Sequence, residues 1–174
     1  MKSMVELSHD FLKPICHTGA ICVDATLGRG KDSQFFLNQN VSKVYAFEIQ
    51  EDVYKEAINH IHDKRFYPFL LGHEKMNEVI TDLVDGIVFN FGYCPGKDKS
   101  ICTQSSTSVV AIEKGLNILK KKGRMALVIY PHNQEEVNSI ECYLEELDSH
   151  LYSILKIKHM NLDNSPYIIE IEKR

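Results

Sequence analysis

The sequence predicts an α/β fold in which a parallel sheet carries helices on both faces. The main observation is that strand-like apolar runs and helix-like periodic segments alternate along almost the whole chain. The 174 residues are 44% apolar and 25% charged, which suits one ordinary globular domain with its own core. Since parallel strands need right-handed crossovers, the intervening helices must cover the sheet. We find no repeat, linker or low-complexity segment, and therefore predict one domain over residues 1–174.

The first half of the chain begins with a helix that ends near Pro14, because Met4, Leu7, Phe11 and Ile15 recur at helical spacing. Short apolar runs predict four strands, and periodic apolar residues predict the helices between them. The strands are expected at residues 20–23, 44–47, 67–71 and 86–89, and the helices at 31–37, at 53–61 and, in a shorter form, after His73.

The second half opens with a long loop over residues 90–103, which is rich in glycine, proline and polar side chains. Spacing then predicts a helix over 109–119, which stops at the basic run Lys120–Lys122 and at Gly123. The remaining predictions are a strand at 125–130, a helix at 137–151 and strands at 152–157 and 167–171.

Composition excludes several classes of protein. The five cysteines lack CxxC spacing and the eight histidines form no ligand cluster, so we expect reduced thiols and no metal site. No apolar run is long enough to span a membrane and the first residues do not resemble a signal peptide, which predicts a cytoplasmic protein without membrane contact. The net charge of −4 disfavours a surface that binds nucleic acid everywhere, but it allows a local basic patch.

A nucleoside-type cofactor is indicated by the turn after the first strand. Asp24 is followed by Gly28 and Gly30, which permit close approach of the backbone to a ligand. Glu48 lies 18 residues past Gly30 at the end of the second strand, where a carboxylate can accept both hydroxyls of a ribose. An ordinary strand-to-helix turn is the alternative explanation for the glycines alone.

The same turn distinguishes between cofactors. A dinucleotide fingerprint has a third glycine, and here Ser33 occupies that position. The carboxylate of Asp24 is badly placed for a pyrophosphate but well placed for an ammonium group. The sequence therefore favours S-adenosyl-L-methionine, and with it a class I methyltransferase, over a dehydrogenase.

The loop that begins at Asn90 is similar to the N-P-P-Y type of motif found in many amino-group methyltransferases. An Asn carboxamide oxygen can accept a hydrogen bond from an amine and leave the nitrogen lone pair directed at a methyl group. We predict Asn90 and Tyr93 as catalytic residues that position the amine.

A full-length resemblance to a known family becomes specific at three segments, which are Asp24–Ser33, His73-Glu74 and Asn90–Thr103. They resemble a small family of bacterial methyltransferases labelled "rRNA methylase-like" (YtqB-type). That family is linked to the last methylation of 5-aminomethyl-2-thiouridine at the tRNA wobble position (the MnmM activity). The resemblance implies a Rossmann-like class I methyltransferase fold with a seven-stranded, mostly parallel sheet.

The resemblance also implies a set of site residues. The cofactor would be bound by Asp24, Thr26, Gly28, Gly30, Asp32, Glu48, Ile49, His73, Glu74 and Asn90. The substrate would be bound by Tyr93, Pro95, Lys97, Asp98, Lys99, Thr103, Tyr130 and His132.

The expected partner is tRNA, recognised at its anticodon stem-loop, with Lys97 and Lys99 contacting phosphate. A homodimer is left open. The alternatives are an rRNA or small-molecule N-methyltransferase with the same site, a non-catalytic nucleotide-binding module and, more distantly, a dehydrogenase that binds NAD.

Overall fold

The computed structural model describes residues 1–91 and 105–174, and the side chains of residues 105 and 106 are outside the description. Within these ranges the strands are β1 (Ile21–Asp24), β2 (Lys43–Glu48), β3 (Phe66–Leu70), β4 (Val84–Phe91), β5 (Leu119–Ile129), β6 (Tyr152–Ile157) and β7 (Tyr167–Lys173). The helices are α1 (Met4–Leu12), α2 (Lys31–Asn38), α3 (Glu51–His60), α4 (Ser105–Ile118) and α5 (Gln134–Glu145), with 3-10 turns at Lys13–Ile15 and His73–Glu78.

All seven strands form one sheet, in the order β3-β2-β1-β4-β5-β7-β6. The first five strands pair in parallel with one another, whereas β7 runs antiparallel to both β5 and β6. The chain builds outwards from β1 to β3 and then crosses back to place β4 on the other side of β1. This reversal creates a topological switch point between β1 and β4, where ligands bind in open α/β sheets. The predicted seven-stranded, mostly parallel sheet is confirmed.

The sheet is covered on both faces because its inner strands are apolar on both sides. In β4, Phe89 points into a core formed with α4, α5 and the turn after Gly72, and Val88 points into a second core formed with α1 and α2. In β5, Leu127 and Val128 divide between the two cores in the same way. Continuous apolar runs in the sequence therefore mark strands that are buried on both faces.

Two boundaries at β4 and β5 differ from the prediction. Asn90 lies in β4, paired with Val128 of β5, and not in a loop. The basic run Lys120–Lys122 lies in β5, where it was expected at the end of a helix. The run falls between the paired positions Leu119 and Arg124, where the register of β4 and β5 shifts. Lys120 Nζ lies 2.8 Å from Asp85 Oδ2, so an ion pair accounts for the position of its side chain.

The helix α5 is shorter than predicted, since it ends at Glu145 and not at residue 151. Glu145, Glu146 and Asp148 place acidic side chains at the negative end of the helix dipole, where they disfavour further turns. Leu147 still packs beside the core, whereas Leu151 is exposed. Within residues 1–91 and 105–174, no helix has the length and apolar character needed to cross a membrane.

Candidate active site

Three predicted cofactor residues meet at the carboxyl edge of the sheet. Asp24 is the last residue of β1, Glu48 is the last residue of β2, and Asn90 is the penultimate residue of β4. β1 is paired in parallel with β2 on one side and with β4 on the other. Strand ends that are far apart in the sequence therefore open on one cleft, at the edge where such sheets bind ligands.

The turn between β1 and α2 is shaped by two glycines with a left-handed backbone. Gly28 has φ +50° and Gly30 has φ +76°, and Gly30 is the N-cap residue of α2. Backbone hydrogen bonds of 2.9 Å tie the turn to both neighbours, from Ala25 N–H to a carbonyl of β4 and from Leu27 N–H to a carbonyl of β2. The turn is therefore already ordered by the strands on either side of it.

Gly30 provides a test of this turn, because a Cβ there would collide with the side chain of Ile61. Gly30→Ala should lower the free energy of unfolding by about 2–3 kcal/mol, from backbone strain plus the collision. Gly28→Ala is the matched control: its Cβ would lie 3.8 Å from the nearest atom, so only the strain of about 1 kcal/mol remains. Urea unfolding measures both variants, and equal losses would contradict the predicted collision.

Asp24 is fully buried and acts as an internal brace of the turn. One carboxylate oxygen accepts from Thr26 N–H at 3.2 Å, and the other accepts from Ser33 N–H at 3.0 Å and Ser33 Oγ–H at 2.7 Å. Ser33 was not among the predicted site residues, although it stands where a dinucleotide fingerprint has its third glycine. These bonds show that Asp24 shapes the turn, while its effect on a cofactor ammonium stays a prediction.

Burial and the neighbouring charge of Asp32 raise the pKa of Asp24 to about 7 from its ordinary value of 3.8. Between these values the unfolded chain has released a proton that the folded chain keeps, so the free energy of unfolding falls as pH rises. The wild-type protein should therefore become less stable between about pH 5 and about pH 8. In Asp24→Asn this loss of free energy of unfolding should be smaller by about 1–2 kcal/mol, as measured by urea unfolding. Asp10→Asn, at an exposed ion pair with Lys2, should leave that loss unchanged. An Asp24 variant with the wild-type pH dependence would contradict the shifted pKa.

Glu48 bridges the ends of β2 and β1. Its Oε2 accepts from Gly28 N–H at 3.1 Å, and its Oε1 accepts from Ile49 N–H and Gln50 N–H at 2.9 Å each. A carboxylate has about four lone-pair sites, so these three bonds leave about one site for a ribose hydroxyl. The adjacent Ile49 is 56% exposed, which leaves an uncovered apolar side chain at the edge where a base would stack.

His73 is buried below the same edge, and its pKa is lowered because burial disfavours the charged imidazole. Its Nδ1–H donates to Ala25 O at 3.0 Å, and its ring meets Phe89 and Phe91 edge-on. The neutral ring therefore presents Nε2 as an acceptor. Glu74 is the second residue of the same 3-10 turn, and its backbone carbonyl accepts from Lys114 Nζ. His73 thus supports the turn after β1 from below.

Asn90 is tied directly to the cofactor turn. Its backbone N–H donates to Thr26 Oγ1 at 2.7 Å, and Thr26 N–H in turn donates to Asp24. One threonine side chain therefore sets the spacing between the end of β4 and the turn after β1. Thr26 has a positioning role here that spacing in the sequence could not reveal, since 64 residues separate it from Asn90.

Asp32 and Tyr130 are also close to each other and to this turn. Asp32 is 5% exposed and accepts from His9 Nε2–H of α1 at 2.6 Å. Burial and the charge of Asp32 raise the pKa of Tyr130, which follows β5, and the Tyr130 and His132 rings are 5.8 Å apart. His9 was missed by the sequence analysis because no local pattern links it to a residue 23 positions away.

The other predicted substrate residues cannot be placed on this framework. Tyr93, Pro95, Lys97, Asp98, Lys99 and Thr103 all lie outside the described residues. In residues 1–91 and 105–174, no three side chains of His, Cys, Asp or Glu are grouped so as to hold a metal ion.

The strand order, with β7 inserted antiparallel between β5 and β6, is that of class I methyltransferases. A "putative methyltransferase" from Streptococcus mutans, crystallised in complex with S-adenosylhomocysteine, superposes with a TM-score of 0.93 at 32% identity, covering 100% of this chain and 99% of that one. A "putative rRNA-methylase" from Clostridium thermocellum gives 0.95 at 29% identity, with the same coverage of both chains. The predicted class is confirmed.

The family follows from the sequence comparison. A profile of the family described as "Putative rRNA methylase" matches residues 44–172, and the chain belongs to this family. It is also 29% identical to the chloroplastic tRNA (mnm(5)s(2)U34)-methyltransferase of Arabidopsis thaliana over 192 aligned residues, covering 99% of this chain and 70% of that protein.

Proposed function

We propose that this methyltransferase, which uses S-adenosyl-L-methionine, methylates the amine of 5-aminomethyl-2-thiouridine at the wobble position of tRNA. The substrate is supported by the name of the Arabidopsis relative and by a similarity that covers 99% of this chain and 70% of that protein. The observation that best supports a catalytic role for Asn90 in amine methylation is the 2.7 Å hydrogen bond from Asn90 N–H to Thr26 Oγ1. This bond joins the start of the predicted catalytic loop to the cofactor turn. A cytoplasmic location, where tRNA is modified, is part of the proposal.

The residues at the carboxyl edge suit this cofactor chemically. Glu48 offers an acceptor to a ribose, Ile49 offers apolar surface to an adenine, and the acidic environment of Asp24 suits an ammonium group. Gly28 provides open space, since the nearest atom to a Cβ there would be 3.8 Å away. S-adenosyl-L-methionine supplies an electrophilic methyl group on a sulfonium when bound. No phosphate is required, in agreement with a carboxylate at the base of the turn.

The proposed role of Asn90 is to orient the attacking amine. Its carboxamide oxygen would accept one N–H, which leaves the lone pair free to form the new C–N bond as the C–S bond breaks. Positive charge develops on the nitrogen during this step, and the amide dipole stabilises it. The surplus proton then leaves to solvent. Because the amine must be neutral to attack, turnover should increase with pH as the free base accumulates.

Recognition of tRNA must rely on a small basic area, since the net charge is −4. Lys97 and Lys99 are the proposed phosphate contacts beside the methyl-transfer site. The anticodon stem-loop is the proposed recognition element, because one small domain cannot contact a whole tRNA at once.

The substrate is tested with two RNAs, an anticodon stem-loop carrying 5-aminomethyl-2-thiouridine and a matched stem-loop carrying unmodified uridine. Mass spectrometry of nucleosides should show one added methyl group on the first and none on the second. Intact tRNA that lacks the aminomethyl group is a second control and should gain no methyl group. Methylation of ribosomal RNA or of ribosomal subunits, with neither stem-loop modified, would refute the proposal in favour of the alternative that the family description suggests.

A further inference from the structure

The helix α1 places one histidine side chain against the cofactor turn. His9 Nε2 lies 2.6 Å from Asp32 Oδ1, with side chains that are 22% and 6% exposed. The imidazole is also stacked on Phe35, with ring centroids 4.0 Å apart and planes within 4°. A ring that is stacked on one side and hydrogen-bonded at its tip has a single orientation.

The acceptor of this bond belongs to a pair of buried carboxylates. Asp32 is close enough to Asp24 to raise its pKa by charge repulsion, and both side chains are almost excluded from water. Asp32 is faced by His9 from α1, by Asp24 from β1 and by Tyr130 from the segment after β5. Two carboxylates in a low-dielectric setting need donors or cations to stay ionised together.

We propose that His9 is a positioning residue for the methionine end of the cofactor. Its hydrogen bond to Asp32 holds the Asp24–Asp32 pair in the charged arrangement that attracts the α-ammonium of S-adenosyl-L-methionine. This inference rests on the proposed function, in which the acidic turn receives that ammonium. Asp32 keeps acceptor capacity for such a role, because His9 uses only one of the lone-pair sites of its carboxylate.

The attachment of α1 to the sheet does not depend on this bond. Met4 and Leu12 are buried in the core on that face, and a capping box between Ser3 and Glu6 stabilises the start of the helix. Further along, Arg124 donates to Phe11 O at 2.8 Å and lies over the Phe11 ring. Anchors away from His9 therefore hold the helix, so a change at His9 can be examined in a folded protein.

The experiment compares two ligands that share the adenosine portion but differ in the ammonium group. S-adenosylhomocysteine carries it together with an α-carboxylate, and 5′-methylthioadenosine lacks both groups. Calorimetry at about pH 8, where Asp24 with its pKa near 7 is ionised, should show His9→Ala weakening S-adenosylhomocysteine about tenfold or more. Binding of 5′-methylthioadenosine should change less than about twofold, since it does not reach the carboxylate pair.

Two further variants complete the design. His9→Gln retains an N–H donor at similar reach and should restore most of the lost affinity for S-adenosylhomocysteine. His17→Ala is the matched control, because His17 Nε2 lies 3.6 Å from the carboxylate of Asp85 at the opposite edge of the sheet. It should leave both affinities unchanged.

The outcomes separate the inference from the proposed function. If His9→Ala weakens both ligands equally, or weakens neither while its thermal midpoint falls, His9 is structural and the inference is wrong. If the wild-type protein binds neither ligand, the cofactor assignment itself fails. Preferential loss of S-adenosylhomocysteine, rescued by glutamine, supports the inference.

Discussion

Replacing Asn90 by alanine is expected to reduce turnover by a factor of about 10²–10³ while cofactor affinity stays nearly constant. The side chain is predicted to act on the amine as charge develops, so its loss raises the barrier without changing the bound ground state. Its backbone contribution, the N–H bond to Thr26, is retained in the variant because alanine keeps the main chain. Single-turnover kinetics and calorimetry with S-adenosylhomocysteine measure the two quantities separately.

Asn38→Ala provides the matched control for Asn90, since Asn38 is an exposed asparagine at the end of α2. It should change neither turnover nor affinity. Parallel losses of affinity and turnover in Asn90→Ala would mean that Asn90 maintains the shape of the cleft and does not act on the amine. Thr26→Val tests the bracing separately, because it removes the acceptor for Asn90 N–H and leaves the side-chain amide of Asn90 intact.

Replacing Glu48 by alanine is expected to weaken binding of S-adenosylhomocysteine by about 1–3 kcal/mol, or about 5-fold to 150-fold. The ribose hydroxyls lose a charged acceptor, and Gly28 N–H loses the partner that holds the turn against β2. Isothermal calorimetry gives the change directly.

Titration with NAD should give no binding in either protein, because the turn lacks the third glycine and offers a carboxylate where a pyrophosphate would lie.

Glu48→Gln separates the two contributions, since glutamine keeps an acceptor of similar size but removes the charge. It should fall between wild type and Glu48→Ala. Glu78→Ala, at an exposed glutamate in the 3-10 turn after Gly72, is the control and should bind normally. Wild-type affinity in Glu48→Ala would show that the carboxylate only stabilises the turn.

The strands were predictable because their pattern is local. Segments such as Val44–Phe47 and Met125–Ile129 are continuously apolar, and they are continuously apolar because both faces of the sheet are covered. The end of β4 was not predictable in this way. Asn90 and Phe91 extend the strand because β5 continues beside them, and that pairing joins residues far apart in the chain.

The helix ends show the same division between local and distant causes. The start of α1 follows from Ser3 and Glu6, which form a capping box within one turn. The segment after His73 was expected to be a short helix and is a 3-10 turn. His73 donates to Ala25 O, and this contact with a residue 48 positions earlier constrains the segment from outside.

The sequence by itself determined the alternating α/β order, the glycine turn after Asp24 and the carboxylate of Glu48 at a strand end, since each depends on residues that are neighbours in the chain. Only the tertiary structure decided that Asp24 is buried and braced by Ser33, that Thr26 holds Asn90, and that His9 reaches Asp32. These contacts are side-chain hydrogen bonds between segments that packing brings together. Their geometry depends on how helices dock on the sheet, and no local periodicity encodes that docking.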